Sequence, residues 1–322
     1  MDLRFAPGFK LMSHKQFTDY FEDKTIYPIN IEISPSGICN AKCENCFYRQ
    51  NDFELLGLDR SWFNEDRMRF LLQYELPLLG VKSISWTGGG EPTLHPSFSK
   101  FVQWATEAGI EQGLFTNGLK LINADPKLFQ WIRVTKTNFP LREDVIISFR
   151  SCRTVGICIN YSKTDNEEVI QEALKIAEKL EANKENSEYS TYVQVRPALI
   201  ISGKTYENEV PNISHPLLQI TNYKFMGMTS ERNYTDCEAY HFAPFIWQDG
   251  DVDVCGYHRK DPRFNLGNLM IQGKEGQFKT IMEKAPKNIK VVENCQVCCK
   301  LNEMNAIIQL RKDLVKRDIN FP

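Results

Sequence analysis

From Ile29 to about residue 205 the chain alternates short apolar runs with longer stretches in which apolar residues recur every three or four positions. Ile29-Asn30-Ile31-Glu32-Ile33-Ser34 switches between apolar and polar at every step, which predicts a first strand. Asn64-Glu65-Asp66 then opens a helix through Met68, Phe70, Leu71, Leu72 and Tyr74 that closes near Pro77 and Gly80. Val81 to Thr87 reads as a second strand. Pro96-Ser97 starts a helix with Phe98, Phe101, Val102 and Ala105 on one face, ended by Gly109. Glu111 to Thr116, closed by Asn117-Gly118, makes a third strand and Trp131 to Thr137 a fourth. Val155 to Tyr161 is a fifth, Glu167 to Leu180 a strongly periodic helix, Glu181 to Ser190 a polar loop, and Tyr192 to Ile201 a sixth strand. Repeated strand–helix units of this kind predict a parallel sheet.

Outside that span the pattern changes. Residues 1–28 mix polar and aromatic positions without a clean period and read as an extension packed against the first strand. Past about residue 205 turns, prolines and cysteines take over, so the predicted division is 1–28, a core of 29–205 and a small domain of 206–322. Within that domain Asp249-Gly250-Asp251 stands between two apolar runs and signals a hairpin. The helical pattern Asn305 to Val315, with Arg311 and Lys312, reads as a solvated face.

Composition narrows the function classes. With 322 residues, 42% hydrophobic and 25% charged, the chain has the make-up of a soluble globular protein. A formal charge of -2 argues against nucleic acid held by bulk electrostatics. No run approaches the roughly 18 apolar residues of a membrane span, and the N-terminus lacks a signal-peptide core, so a cytoplasmic location is expected. Ten cysteines in a reducing compartment point to metal or redox chemistry rather than disulfides.

Cys39, Cys43 and Cys46 stand at C-x3-C-x2-C directly after the first strand. Structural zinc sites are closed by four ligands, whereas a 4Fe-4S cluster takes one thiolate per iron. Three cysteines in one loop therefore suit a cubane with one iron left open, unless a fourth ligand comes from elsewhere. The second strand runs straight into Gly88-Gly89-Gly90-Glu91-Pro92.

C-x3-C-x2-C after the first strand with GGEP after the second resembles the radical S-adenosylmethionine (radical SAM) superfamily. The resemblance implies an α/β fold, a partial (β/α)6 TIM-like barrel, with cluster and substrate at the C-terminal ends of the strands. It implies that the open iron chelates SAM and that an electron from the cluster splits the sulfonium to methionine and a 5′-deoxyadenosyl radical. By the same resemblance Gly88, Gly89, Gly90 and Glu91 bind SAM, and Thr135 stands where many relatives carry a serine that reaches it. Where relatives usually have an aromatic before the last cysteine, this chain has Asn45, with Phe47-Tyr48 following.

Cys237, Cys255, Cys295 and Cys298 form a second group: the hairpin would bring one pair together and C-Q-V-C supplies the other. Twelve residues, a glycine and four more between Cys237 and Cys255 resemble the start of the SPASM/twitch domain. That implies a second, auxiliary 4Fe-4S cluster; zinc is the rival reading for four cysteines. Cys299 departs from the simple twitch pattern and is a buried thiol, a substitute ligand, or a hydrogen-atom donor.

Asn160, Gln194 and Arg196 are polar residues on otherwise apolar strands, where SAM or substrate would satisfy them, or each other. Arg196 suits an anionic group. Asn117 serves its turn, His95 reads as a loop residue, and Tyr240, His241, Tyr257, His258 and Arg259 flank the auxiliary cysteines, facing substrate or packing the hairpin. The expected function is hydrogen abstraction from a substrate, with the auxiliary cluster accepting an electron to oxidise a small molecule. Cross-linking or epimerisation of a ribosomal peptide, with Cys299, Cys152 or Cys158 as hydrogen donor, is the alternative, and a non-catalytic zinc or iron-sulfur protein a third. A small-molecule or peptide substrate and a flavodoxin- or ferredoxin-type electron donor are the expected partners.

Overall fold

The computed structural model describes residues 7–43, 46, 48, 60–161, 167–197, 213–220, 232–291, 295 and 301–315. The strand alternation becomes a parallel sheet built from β1 (Asn30–Ile33), β2 (Ser83–Trp86), β3 (Glu111–Thr116), β4 (Trp131–Thr135), β5 (Thr154–Tyr161) and β6 (Ser190–Pro197), paired in that order. A seventh parallel strand, β7 (Leu218–Ile220), pairs with β6 beyond the point where the sequence pattern breaks. The fold is thus the predicted mixed α/β one with a largely parallel central sheet. Its outward face carries Ile31, Ile33, Ile84, Trp86, Leu114, Ile132, Val134, Val155, Ile157, Val193 and Val195, all buried in one core with the helices. The alternate positions, among them Phe115, Arg133, Thr135, Gly156, Cys158 and Tyr192, face the opposite side, the inner one of a barrel.

Helices cover the outward face. The first starts as α3 (Glu65–Phe70), with Asn64 Oδ1 accepting from Arg67 N at 2.9 Å, and continues through a π-helical turn, Leu71–Glu75, into α4 (Leu76–Leu78). Pro77 has no N–H to give to the preceding turn, and the widened turn accommodates it. Gly80 then ends the helix at φ +73°, with Gly80 N on Pro77 O (3.0 Å) and Val81 N on Leu76 O (3.1 Å). In α5 (Phe98–Glu107) the predicted stripe of Phe98, Phe101, Val102 and Ala105 is buried. A short helix not foreseen, α6 (Glu143–Ile147), precedes α7 (Glu167–Ala182), which buries Ile170, Ala173, Leu174, Ala177 and Leu180.

The C-terminal segment contributes β8 (Asp236–Cys237), β9 (Phe245–Ile246), β10 (Asp251–Asp253), β11 (Asn265–Asn268), α8 (Phe278–Lys284), β12 (Ile289–Lys290) and α9 (Asn302–Val315). The Asp249-Gly250 turn is a hairpin as predicted, with Gly250 at φ +86° and β9 antiparallel to β10. β9 pairs parallel with the free edge of β1, so this hairpin continues the barrel sheet. A second core joins it to the chain start: Leu11 of α1 (Pro7–Met12) and Phe17 of α2 (Lys15–Phe21) pack with Tyr240, Phe242, Leu301, Met304 and Ile308. Two readings are corrected here. The N-terminal helices pack chiefly on this segment rather than on β1, and α9 is not simply a solvated face, because Met304 and Ile308 are buried against them and Asn305 against Cys237, Glu238 and Ala239. Among the described residues, no helix is long and apolar enough to cross a membrane.

One buried ion pair fastens the C-terminal segment to the barrel helices. Arg67 Nη1 lies 2.5 Å from Glu75 Oε2, its Nε and Nη2 donate to Leu269 O and Gly276 O at 2.9 Å, and Glu75 Oε1 accepts from Phe278 N at 2.9 Å. Arg67→Ala leaves Glu75 buried without its cation and is expected to cost about 3–5 kcal/mol in urea unfolding. Arg67→Met with Glu75→Leu is expected to cost much less, since no charge is then stranded.

Candidate active site

The site is built where β1 and β2 end. The backbone leaving β1 carries Ser34, Ser36 and Ile38 toward Cys39, and the glycine loop leaving β2 is stitched onto it. Gly90 N donates to Ser36 O (3.1 Å), Glu91 N to Ile38 O (2.8 Å) and Gly89 N to Ser34 Oγ (3.3 Å). Glycine is required for this closeness. A Cβ on Gly90 would lie 2.4–2.7 Å from Ile38 O, Ser36 O and Ile38 N, and one on Gly88, at φ +155°, 2.3 Å from Ser34 Oγ.

Glu91 is 3% exposed and spends its carboxylate within the protein. Oε1 accepts from Thr93 N (3.2 Å), Thr93 Oγ1 (2.7 Å) and Thr116 Oγ1 (2.8 Å), and Oε2 from Asn117 N (2.7 Å). Burial raises its pKa, and these four donors oppose the shift. The acid thereby ties the end of β2 to the end of β3. Asn117 serves its turn, accepting from Leu119 N at 3.0 Å, and its Nδ2 also reaches Asn40 Oδ1 at 2.7 Å.

Cys39, Cys43 and Cys46 are half-buried beside this seam, none of them in a disulfide. Burial pushes the Cys39 thiol up to about 11, the Ala41 N–H at 3.5 Å opposes this, and the charges of Glu91, Cys43 and Cys46 push it further. The three sulfurs thus act on one another, although among the described residues no group of three or more His, Cys, Asp or Glu stands in metal-binding geometry. Three cysteine thiols in one loop are the donor set that iron would turn to thiolates. The donors therefore fit an iron-sulfur cluster.

Below the seam the concave face is lined in register. Phe115 stands beside Arg133, Arg133 beside Gly156, and Gly156 beside Tyr192; the next row is Thr135, Cys158 and Gln194, and above it Asn160 and Arg196. Arg133 Nε donates to Tyr192 Oη at 2.7 Å, and Arg196 Nε to Asn160 Oδ1 at 2.7 Å. Thr135, Asn160 and Arg196, chosen from sequence, therefore share one face, while Cys152 lies in the outer core, its thiol on Phe129 O and Thr154 O. Arg133 and Tyr192 escaped notice. The signal was present as the alternation Trp131, Arg133, Thr135 on β4, but alternation does not say which face is concave.

Among the second group, β8 pairs with β12 through Cys237 and Ile289, Cys295 N donates to Val291 O at 2.8 Å, and Cys295 acts on the thiol of Cys237. Burial pushes the Cys237 thiol up to about 11, opposed by Asn305 Nδ2 at 3.4 Å. His258 Nε2 is 3.4 Å from Cys295 Sγ, and Cys255 is buried in the same core. Cys298 and Cys299 lie outside the described residues. Tyr48, also unforeseen, donates to Gly256 O at 3.1 Å and sets its ring edge-on to Trp247, so the first cysteine loop touches the hairpin that carries Cys255. Arg259 is buried with its guanidinium over Trp247 and Nη2 on Asp249 Oδ2 (2.6 Å), while Tyr240 and His241 bond the carbonyls of Pro286 and Lys287.

His95 is not a simple loop residue. It is buried, its Nδ1 accepts from Ser97 N (3.0 Å), and Nε2 donates to Phe63 O (3.0 Å), which fixes the neutral ring. Burial lowers its pKa below the ordinary 6.5, so in that window the unfolded chain binds more protons than the folded one. Stability is therefore expected to fall as pH drops through 6.5. His95→Gln should show a shallower fall in urea midpoint between about pH 7.5 and 5.5 than the parent.

No protein-family model matches the sequence, and no curated protein sequence matches it. Solved structures do match its fold. SuiB of Streptococcus suis bound to S-adenosylmethionine superposes with a TM-score of 0.51 at 17% identity, over 84% of this chain and 72% of that one. SuiB bound to its precursor peptide SuiA gives 0.55 at 15% identity, over 96% and 77%. Native anSMEcpe with bound AdoMet, the same cofactor, gives 0.52 at 17% identity, over 87% and 88%. At 15–17% identity these are likenesses of fold.

Proposed function

We propose that the chain is a radical SAM enzyme, and the observation that carries this reading is the backbone seam between the three-cysteine loop and the glycine loop, with Gly90 and Glu91 amides on the carbonyls of Ser36 and Ile38. Cys39, Cys43 and Cys46 hold a 4Fe-4S cluster with one iron open. When bound, that cluster and SAM supply a 5′-deoxyadenosyl radical that takes hydrogen from a C–H bond. The chain's own contribution is placement. Gly88, Gly89 and Gly90 present a side-chain-free edge to SAM, Glu91 fixes that edge to β3, and Thr135, Asn160 and Arg196 line the same concavity.

Cys237, Cys255, Cys295 and Cys298 hold the auxiliary 4Fe-4S cluster in this reading. A site closed by four thiolates keeps substrate off the metal, which fits electron acceptance and oxidation of the substrate, with a flavodoxin- or ferredoxin-type donor feeding the first cluster. Peptide modification is the second reading, favoured by the fold shared with SuiB in its complex with SuiA. Cys158, on the concave face with its thiol 3.8 Å from Gln194 Oε1, is then a hydrogen donor alongside Cys299.

Metal content of the anaerobically reconstituted protein tests the reading. About eight irons per chain is expected. About four irons with one zinc would keep the radical enzyme and remove the auxiliary acceptor. A protein that takes up no iron would sink the proposal.

A further inference from the structure

We propose that His258 and Asn305 donate N–H bonds to two sulfurs of the auxiliary cluster, those of Cys295 and Cys237, and so raise its reduction potential toward that of an electron acceptor. The inference rests on the auxiliary-cluster reading above and assigns the tuning of that site to these two side chains.

Asn305 is fixed by its own amide. It lies near the start of α9, 2% exposed, and its Oδ1 accepts from both Glu238 N (2.8 Å) and Ala239 N (2.9 Å). Flipped end for end, the amide would turn its own N–H groups against those two donors, so its partners settle the orientation. Nδ2 is thereby held on Cys237 Sγ at 3.4 Å.

His258 is fixed by stacking. Its ring centre lies 3.9 Å from that of Phe264, with 10° between the planes. Phe264 is itself tied down, with its N on Asp261 O (3.0 Å) and its O accepting from Val254 N (2.9 Å). The stack sets the imidazole plane and leaves Nε2 3.4 Å from Cys295 Sγ. A metal-bound thiolate has no proton to give, so at a loaded site Nε2 carries the hydrogen and donates it.

The two sulfurs belong to one region. Cys237 and Phe264 are buried in the second core and Cys295 packs against it. The backbone also links them: Cys237 pairs with Ile289, Val291 N donates to Thr235 O (2.8 Å), and Cys295 N donates to Val291 O (2.8 Å). Reduction adds negative charge that the sulfurs share, and a donor aimed at a sulfur favours the reduced state. Donors already in place need no reorganisation when the electron arrives.

A redox titration of the anaerobically reconstituted full chain, followed by electron paramagnetic resonance, reads this directly. SAM binds the open iron and shifts that cluster's signal alone, which tells the two clusters apart. His258→Phe keeps the stack on Phe264 and removes Nε2, while Asn305→Leu removes the amide. Each variant is expected to keep about eight irons. Each should make the auxiliary cluster about tenfold harder to reduce, a fall of about 59 mV for one electron, with the first cluster unmoved. Asn305→Leu also strands the amides of Glu238 and Ala239, so His258→Phe carries the test if the leucine variant does not fold. A folded variant with full iron and the parent's auxiliary potential would overturn the proposal. Loss of about four irons from His258→Phe would do the same, since the imidazole would then be a ligand. A parent that holds zinc in place of the second cluster sinks the auxiliary-cluster reading and this proposal with it, and metal content shows that before any potential is measured.

Discussion

Replacing Cys39, Cys43 and Cys46 together by alanine is expected to leave about four irons per chain and to abolish 5′-deoxyadenosine formation. The three cysteines stand in one loop at C-x3-C-x2-C and are read as the ligands of one cluster, so their joint removal takes away the whole donor set. The remaining iron is assigned to the group around Cys237 and Cys295, which sits in a separate core with Asn305 and His258 at hand. Melting temperature should change little, because these half-buried residues contribute no large apolar surface. A variant that keeps its full iron, or loses all of it, would contradict the division into two sites.

Gly90→Ala is expected to have the next largest effect. Its new Cβ would meet three backbone atoms of the cysteine loop at 2.4–2.7 Å, and backbone cannot rotate aside as a side chain can. Relief requires opening the Gly90–Ser36 and Glu91–Ile38 bonds, which also loosens the carboxylate that holds Thr116 and Asn117. The cost is about 2–3 kcal/mol of stability, read from urea unfolding. SAM affinity of the reconstituted protein should drop by about tenfold or more, since misplacing this edge undoes its preorganisation. Gly80→Ala is the control: its φ of +73° brings strain, but nothing lies within 4 Å of a Cβ there. It should cost about 1 kcal/mol and leave SAM binding unchanged.

The strands were legible where local punctuation was strong. β3 runs from Glu111 to Thr116 as read from sequence, because Gly109 and Asn117-Gly118 bracket it. β7 was not legible, since three residues without flanking periodicity become a strand only by pairing with Val193 and its neighbours. The glycine loop could be recognised as a motif, yet the inward commitment of Glu91 could not, because its partners come from β3 and its turn. The burial of α9 was hidden by its polar and charged positions, Arg311, Lys312 and Asp313 among them. Its partners Leu11 and Phe17 lie almost three hundred residues away in sequence.

The same limit explains Arg133 and Tyr192. Alternation on β4 and β6 marks two faces, and only the curvature of the whole sheet decides which is concave. Tyr48 was a residue after the motif until the hairpin of β9 and β10 brought Trp247 and Gly256 to it.

The most direct test of the central claim is the formation of 5′-deoxyadenosine by the anaerobically reconstituted protein on addition of SAM and dithionite. Deoxyadenosine and methionine are expected in equal amounts, dependent on both additions. A protein carrying its full complement of iron that binds SAM and yields no deoxyadenosine would contradict it.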